Sequence, residues 1–283
     1  MSADTSAYGT VLYRVNAETA LLLGGARALL MQLALPGVAA GVDEHSDFRR
    51  RPLPRLWRTL TLTYRLAFGE PAVVREAAAA INRAHRDVRG SGYSAQDPAL
   101  LLWVHATLVD SALVAYTELV APLTRAEREA YYLGSLETGR LLGIPNNLFP
   151  ESLAAFEAYL DRVLGEEVCV DARARALAAR VLRPVEWVPG AWRPLEVLTS
   201  GLLPPSLRTA YGLPAPGRAY AALRSALRAG RRVAPRLVWE MPEARAWRKR
   251  VGAGLDPPAA GGASPAPTRS RRRAGSRARR PSR

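Results

Sequence analysis

One cysteine and one lysine stand in a chain of 283 residues. Cys169 can form no internal disulfide and cannot supply a thiolate-rich metal site, so the chain suits a reducing compartment such as the cytoplasm. Lys249 is the only lysine, so arginine carries the rest of the positive charge. A long uninterrupted apolar run is also missing near the start. Ala20 to Val42 is broken by Arg27, Gln32 and Pro36 and follows Asp4, Arg14 and Glu18. It is too polar to span a bilayer and lacks the charge-then-apolar order of a signal peptide. A soluble chain is expected, with at most a mildly amphipathic helix resting on a membrane. The sequence has no HExxH zinc helix, no Glu-x-x-His pair of the di-iron bundles, no GxSxG elbow and no GxxxxGK[ST] phosphate loop, which weakens each of those chemistries. Nor does any alternating strand pattern extend beyond a few residues, so the expected class is all-α.

The 48% hydrophobic content is enough for one large helical domain. The formal charge of +15 is unevenly spread: from Ala244 onward eleven Arg, one Lys and one Asp give +11, leaving +4 for residues 1–243. The expected organisation is a nearly neutral helical body, 1–250, and a basic tail, 251–283. The tail is Gly, Ala, Pro, Ser and Arg without periodicity and cannot offset its ordering entropy, so disorder is expected there. Any contact with an anionic surface or nucleic acid is expected to run through it.

Along the body, residues 1–18 read as a lead-in. A helix is expected from Glu18 to about Leu35, broken at Gly24-Gly25 and stopped by Pro36, with a short helix through Val42. A polar loop follows, with Ser46 or Asp47 as a ready cap. A helix after Pro54 sets Leu56, Leu60, Thr63 and Ala67 on one side, with Arg55 and Thr59 one turn apart. Arg49, Arg50, Arg51, Arg55 and Arg58 make a dense basic patch just after His45. Thr124-Arg125-Ala126-Glu127 is a capping box opening a helix that ends near Gly143-Ile144-Pro145. Pro150–Leu164 and Asp171–Leu182 read as helices. In the proline-rich stretch 183–216, Trp187 and Trp192 are expected to anchor a crossing segment, followed by helices near Leu195 and over Gly217–Ala229.

The stretch from Ala77 to Val120 places two of the three histidines on successive helices. The first opens at Pro71 and is expected to close at Gly90, with Ala78, Ile81, His85 and Val88 on one inward face. Asp97 caps the second before Pro98, and Leu101, His105, Leu108, Ala112, Ala115 and Leu119 recur along its apolar side. His85 and His105 are therefore both expected to point inward. Each is either a satisfied core imidazole or a ligand to a metal or haem, and spacing does not separate the two.

The runs RALLMQLALPGVAAGVDEHSDF from Arg27, PLPRLWRT from Pro52, Phe68-Gly69, HRDVRG from His85, YSAQDPALLLWVHATLVDS from Tyr93, and EREAYY followed by GRLLGIP resemble, in order, the bacterial family grouped with the MpaB oxygenases and the rubber-oxygenase catalytic domain. The likeness spans about residues 20–185. It implies a haem-protein-like helical bundle, a b-type haem with His85 as axial iron ligand, and an arginine and threonine four apart upstream, here Arg55 and Thr59. No residue matches the distal glutamate of the rubber-oxygenase branch; Asp43 and Glu44 lie nearby. Relatives commonly carry histidine before the proline where this chain has Leu35.

Haem suits these residues. One neutral imidazole ligates iron from one side, apolar helices cover the macrocycle, and guanidiniums such as those of Arg51 and Arg55 pair with the propionates. His45 or His105 could then donate a hydrogen bond to bound dioxygen, while Asp110 is read as a tie between helices. The expected function is haem-dependent oxidation of an apolar small molecule. The competing reading is a non-enzymatic helical protein that binds a small ligand without iron.

Overall fold

The computed structural model describes residues 5–45, 52–185, 188 and 190–252. Within them the chain order is α1 (Thr5–Asn16), α2 (Leu21–Leu33), α3 (Pro36–His45), α4 (Pro52–Phe68), α5 (Pro71–His85), β1 (Arg89–Gly90), β2 (Tyr93–Ser94), α6 (Pro98–Leu119), α7 (Arg125–Leu141), a 3-10 turn (Asn146–Leu148), α8 (Leu153–Glu166), α9 (Ala172–Leu182), α10 (Arg193–Leu202), α11 (Pro205–Ala210), α12 (Arg218–Val233), α13 (Arg236–Trp239) and α14 (Pro242–Gly252). The class is all-α, as the sequence implied.

The body is assembled around α6. Its start is fixed by Asp97, whose carboxylate accepts from the Ala99 amide at 2.9 Å, and by Pro98 in the first turn. It is long and apolar enough to cross a membrane. Here, however, that apolarity serves a core helix on which α1, α2, α7, α10 and α12 pack. Trp103, 1% exposed, donates its indole N–H to the Met31 carbonyl, and Leu113 and Leu119 are equally enclosed. Burying side chains of this size contributes roughly 1.5–3 kcal/mol each.

Two glycines expected to break a helix instead let α2 approach α6. The helix runs through Gly24-Gly25 without interruption. A Cβ on Gly24 would lie 2.8 Å from Ala115 Cβ and 3.2 Å from the Ser111 carbonyl, so only hydrogen fits there. The turn at Glu18 is not helical; α2 begins at Leu21. Pro36 acts as expected, and α2 and α3 meet at 106°.

Residues 5–16 are more than a lead-in. Val11 and Val15 are buried, and Tyr13 stacks on Trp247 of α14 at 4.4 Å and meets Phe68 edge-on at 6.0 Å. With Tyr64, Met241 and Ala244 these helices form a second, smaller core. The capping box at Thr124 and Glu127 is complete, and Gly143 ends the α7 turn at φ +95°. Trp192 is half-buried and donates to the Val185 carbonyl at 2.8 Å. Trp187, the caps Ser46 and Asp47, and the tail beyond Gly252 lie outside the described residues.

Candidate functional site

The first of the two histidine helices is shorter than its apolar periodicity implied. α5 ends at His85 itself, and the chain turns into a two-residue hairpin in which Arg89 faces Ser94 and Gly90 faces Tyr93. Gly92, at φ +80°, supplies the left-handed corner. Gly90 is needed for a different reason: a Cβ there would fall 2.5 Å from the Tyr93 ring, which lies across the hairpin. The helix therefore stops one turn early, because Tyr93 folds back over residues 88–90.

His85 is consequently half-buried at a helix end rather than enclosed. One turn before it, the Asn82 amide donates to the Leu141 carbonyl at 3.0 Å. Three residues after it, Val88 lies against Gly41 of α3 and its N–H returns to the His85 carbonyl at 3.2 Å. The end of α5 thus meets the end of α7 through Asn82, and the turn after it meets α3 through Val88. Leu101 of α6 reaches the end of α7: one of its methyls lies 3.9 Å from where a Gly143 Cβ would be.

Leu101, Val104 and Leu108 follow the three-and-four spacing of one α6 face. That face is the least covered on the helix. Leu101 and Val104 are half-buried, and Leu108, expected inside, is 43% exposed. The cause is geometric. α2 covers the side of Trp103, Thr107, Asp110 and Ser111, and α7 covers the side of His105, while among the described residues no element closes over Leu108.

His105 behaves oppositely. It is 5% exposed, with Phe149 edge-on to its ring at 6.0 Å. Its Nε2 stands 3.5 Å from Ser135 Oγ, whose own proton goes to the Tyr132 carbonyl at 2.7 Å. A Cβ on Gly139 would lie 3.3 Å from Nε2. Burial holds its pKa down at about 4, so the ring is neutral at physiological pH. Ser135, Gly139 and Phe149 fill the space into which a ligand at Nε2 would have to go. Neither Ser135 nor Phe149 stood out in the sequence, because each reads as an ordinary core position of its segment.

His45 is exposed at the end of α3, with Nε2 3.0 Å from the Arg89 carbonyl. A carbonyl only accepts, so Nε2 carries the proton and Nδ1 of the neutral ring is an acceptor. The donor expected to serve bound dioxygen is thus already engaged. Glu44 accepts from Tyr93 Oη at 2.6 Å, an interaction that pushes the Tyr93 pKa up to about 12, and Arg173 of α9 pairs with Glu44 at 3.3 Å and Asp43 at 3.5 Å. Both acids nearest the expected distal position are therefore held in an ion-pair cluster joining α3 to α9.

The two-residue link Gly69-Glu70 makes α4 and α5 antiparallel, and Arg65 pairs with Glu76 across them at 2.9 Å. Equal helical rise then sets Arg55 level with Ala84 and His85, and Thr59 level with Ala80. Thr59 is exposed and its carbonyl accepts from Thr63 Oγ1 at 2.9 Å. Arg58 is exposed; the Arg55 side chain, Arg49, Arg50 and Arg51 fall outside the described residues.

A buried polar network on the opposite side of α6 was only partly visible in sequence. Arg27 donates to Asp110 at 2.6 Å, to Ser111 Oγ at 2.7 Å and to the Leu202 carbonyl at 2.7 Å, tying α2, α6 and α10 together. Gln32 adds a bond to Thr107 Oγ1 at 3.1 Å. Asp110 acts as the interhelical tie expected of it.

Among the described residues no group of three or more His, Cys, Asp or Glu could hold a metal ion. A group needing one imidazole asks less, and the donor chemistry fits it: His85 is half-buried, intermediate in exposure between the enclosed ring of His105 and the exposed ring of His45. A cavity of about 260 Å³ lies elsewhere, between α9 and α10, lined by residues including Arg175, Leu182, Val197 and Tyr211.

The catalytic-domain family described as ER-bound oxygenase mpaB/B'/Rubber oxygenase matches residues 13–236. Two uncharacterized mycobacterial proteins, from Mycobacterium tuberculosis and Mycobacterium bovis, are each 30% identical over 229 residues, covering 75% of this chain and 89% of theirs. No solved structure matches.

Proposed function

Because the chain belongs to the MpaB and rubber-oxygenase catalytic-domain family, whose description names an oxygenase, we propose that it is a haem-dependent oxygenase of an apolar small molecule, with His85 as the residue that would hold the iron. One observation carries the reading: His85, the histidine of the HRDVRG run, stands half-buried at the end of α5, whereas His105 Nε2 is enclosed by Ser135, Phe149 and Gly139. A b-type haem would supply dioxygen binding and redox equivalents. The chain's own residues do the rest.

The leucine and valine stripe would seat the flat apolar surface of the cofactor and substrate and keep water from it. Arg55, level with His85 on the partner helix, and Arg51, four residues before it in the sequence, would neutralise propionates. Thr59 lies one turn along from Arg55 as a second polar contact. His45, with Nδ1 free to accept, would orient a proton-bearing group at the rim. His105 would act through packing, holding α6 against α7. A reducing cytoplasm is the compartment that fits the exposed thiol of Cys169.

The test is the visible spectrum and iron content of full-length protein made with ample haem supply. A Soret band and about one iron per chain, the ratio that a single axial ligand implies, are expected. No Soret band and no bound iron would return the chain to the iron-free ligand-binding reading.

A further inference from the structure

Three aliphatic side chains stand out of the body at the turn between α12 and α13: Val233 is 84% exposed, Leu237 65% and Val238 54%. They lie within six residues of one another, so they form one projection rather than scattered surface hydrophobics. The projection is firmly based. The Trp239 carbonyl accepts from Thr19 N–H at 2.9 Å, the Val238 carbonyl from Thr19 Oγ1 at 3.3 Å, and Met241 N–H donates to the Ala17 carbonyl at 2.8 Å. Beneath, the buried carboxylates of Glu18 and Glu240 are held by Arg231 and by Arg248. A segment pinned at its base in this way could have turned its aliphatic residues inward, yet it presents them to the outside.

Positive charge surrounds the projection. Arg232 and Arg236 flank Val233 and Leu237, and both are exposed. Arg232 makes no ion pair among the described residues, Arg236 shares Glu240 with Arg248 at 3.4 and 2.9 Å, and α14, which begins three residues after Trp239, adds exposed Lys249. From there the sequence runs on into its arginine-rich end.

We propose that the α12–α13 turn is a membrane-contacting tip that seats the protein on an anionic bilayer, with Val233, Leu237 and Val238 entering the headgroup boundary and the surrounding arginines meeting lipid phosphates. An aliphatic wedge inside a guanidinium collar is complementary to such a surface, where apolar burial and attraction to anionic headgroups act together. Charge argues against a second copy as the occupant, since a symmetric contact at this turn would bring Arg232 and Arg236 of each copy against each other. Three exposed aliphatics also have no use on a nucleic-acid backbone.

The test uses full-length protein and vesicles of phosphatidylcholine with and without phosphatidylglycerol. Wild type should partition onto the anionic vesicles and hardly onto the neutral ones. The triple variant Val233→Ser, Leu237→Ser, Val238→Ser keeps every charge and changes only exposed side chains. It should bind about tenfold more weakly or worse, with unchanged circular dichroism. Arg232→Gln should weaken binding less, and added salt should weaken wild type further. Wild-type affinity in the triple variant would assign membrane contact to the basic tail alone and overturn the proposal, as would failure of wild type to bind anionic vesicles. A wild-type dimer in sedimentation that the triple variant converts to monomer would overturn it in favour of a second copy.

Discussion

The two flanks of α6 are built differently. Toward α2 the helix is closed by backbone approach at Gly24 and by the Arg27, Asp110 and Ser111 network. Toward Leu108 it carries the same kind of apolar residue, with nothing among the described residues laid over it. The histidines differ too. His105 is part of the closed packing, whereas His85 is half-buried at the end of α5. A histidine's place on an apolar helix therefore does not tell its burial, which is set by where the helix stops and what packs on its end.

The largest effect should come from opening the closed flank. Asp110→Ala leaves Arg27, whose side chain is 4% exposed, without its anion. Losing one partner of a buried pair costs about 3–5 kcal/mol. Urea denaturation of wild type and variant should show that difference, and a loss below about 1 kcal/mol would mean that water replaces the carboxylate.

His105 sharpens the contrast through pH. Its folded pKa of about 4 lies below the ordinary 6.5, so the folded protein favours the neutral ring. That preference is fully present above pH 6.5 and is lost as the pH falls toward 4, where charging the buried ring weighs against the fold. Over this window wild type should lose about 3 kcal/mol relative to His105→Gln, which does not titrate. Parallel stability curves for the two proteins would contradict the enclosed, neutral ring.

Gly24→Ala tests the backbone approach. Its Cβ would lie 2.8 Å from Ala115 Cβ, so α2 and α6 must separate, at a cost of about 1–3 kcal/mol despite the better helix propensity of alanine. Leu108→Ser should change stability by under about 0.5 kcal/mol, since that side chain is already 43% exposed. If Leu108→Ser proved as damaging as a core substitution, the open face would be closed in solution.

Features that are local and chemical are legible in the sequence. Asp97 before Pro98, the Thr124 to Glu127 box and the stop at Pro36 each satisfy or deny backbone groups within a few residues, so their outcome does not depend on the rest of the fold. Features set by distant partners are not legible. Gly24-Gly25 looks like a break until α6 is laid against it, and residues 5–16 look featureless until Trp247, more than 200 positions later, stacks on Tyr13. The early end of α5 depends on Tyr93 folding over Gly90. The choice of His85, Arg55 and Thr59 comes from the family resemblance, and the antiparallel pairing of α4 and α5 sets Arg55 and His85 at the same end of one helical pair. Ser135, Phe149 and the engagement of His45 by Arg89 could not be picked out, because each depends on a contact between separate segments.

The central claim rests on His85, and the most direct measurement is the Soret absorbance of three full-length proteins made with ample haem: wild type, His85→Ala and His105→Gln. The account predicts a Soret band in wild type and in His105→Gln and its loss in His85→Ala, with added imidazole restoring it in the last. A band that survives His85→Ala unchanged, or that disappears only in His105→Gln, would contradict it.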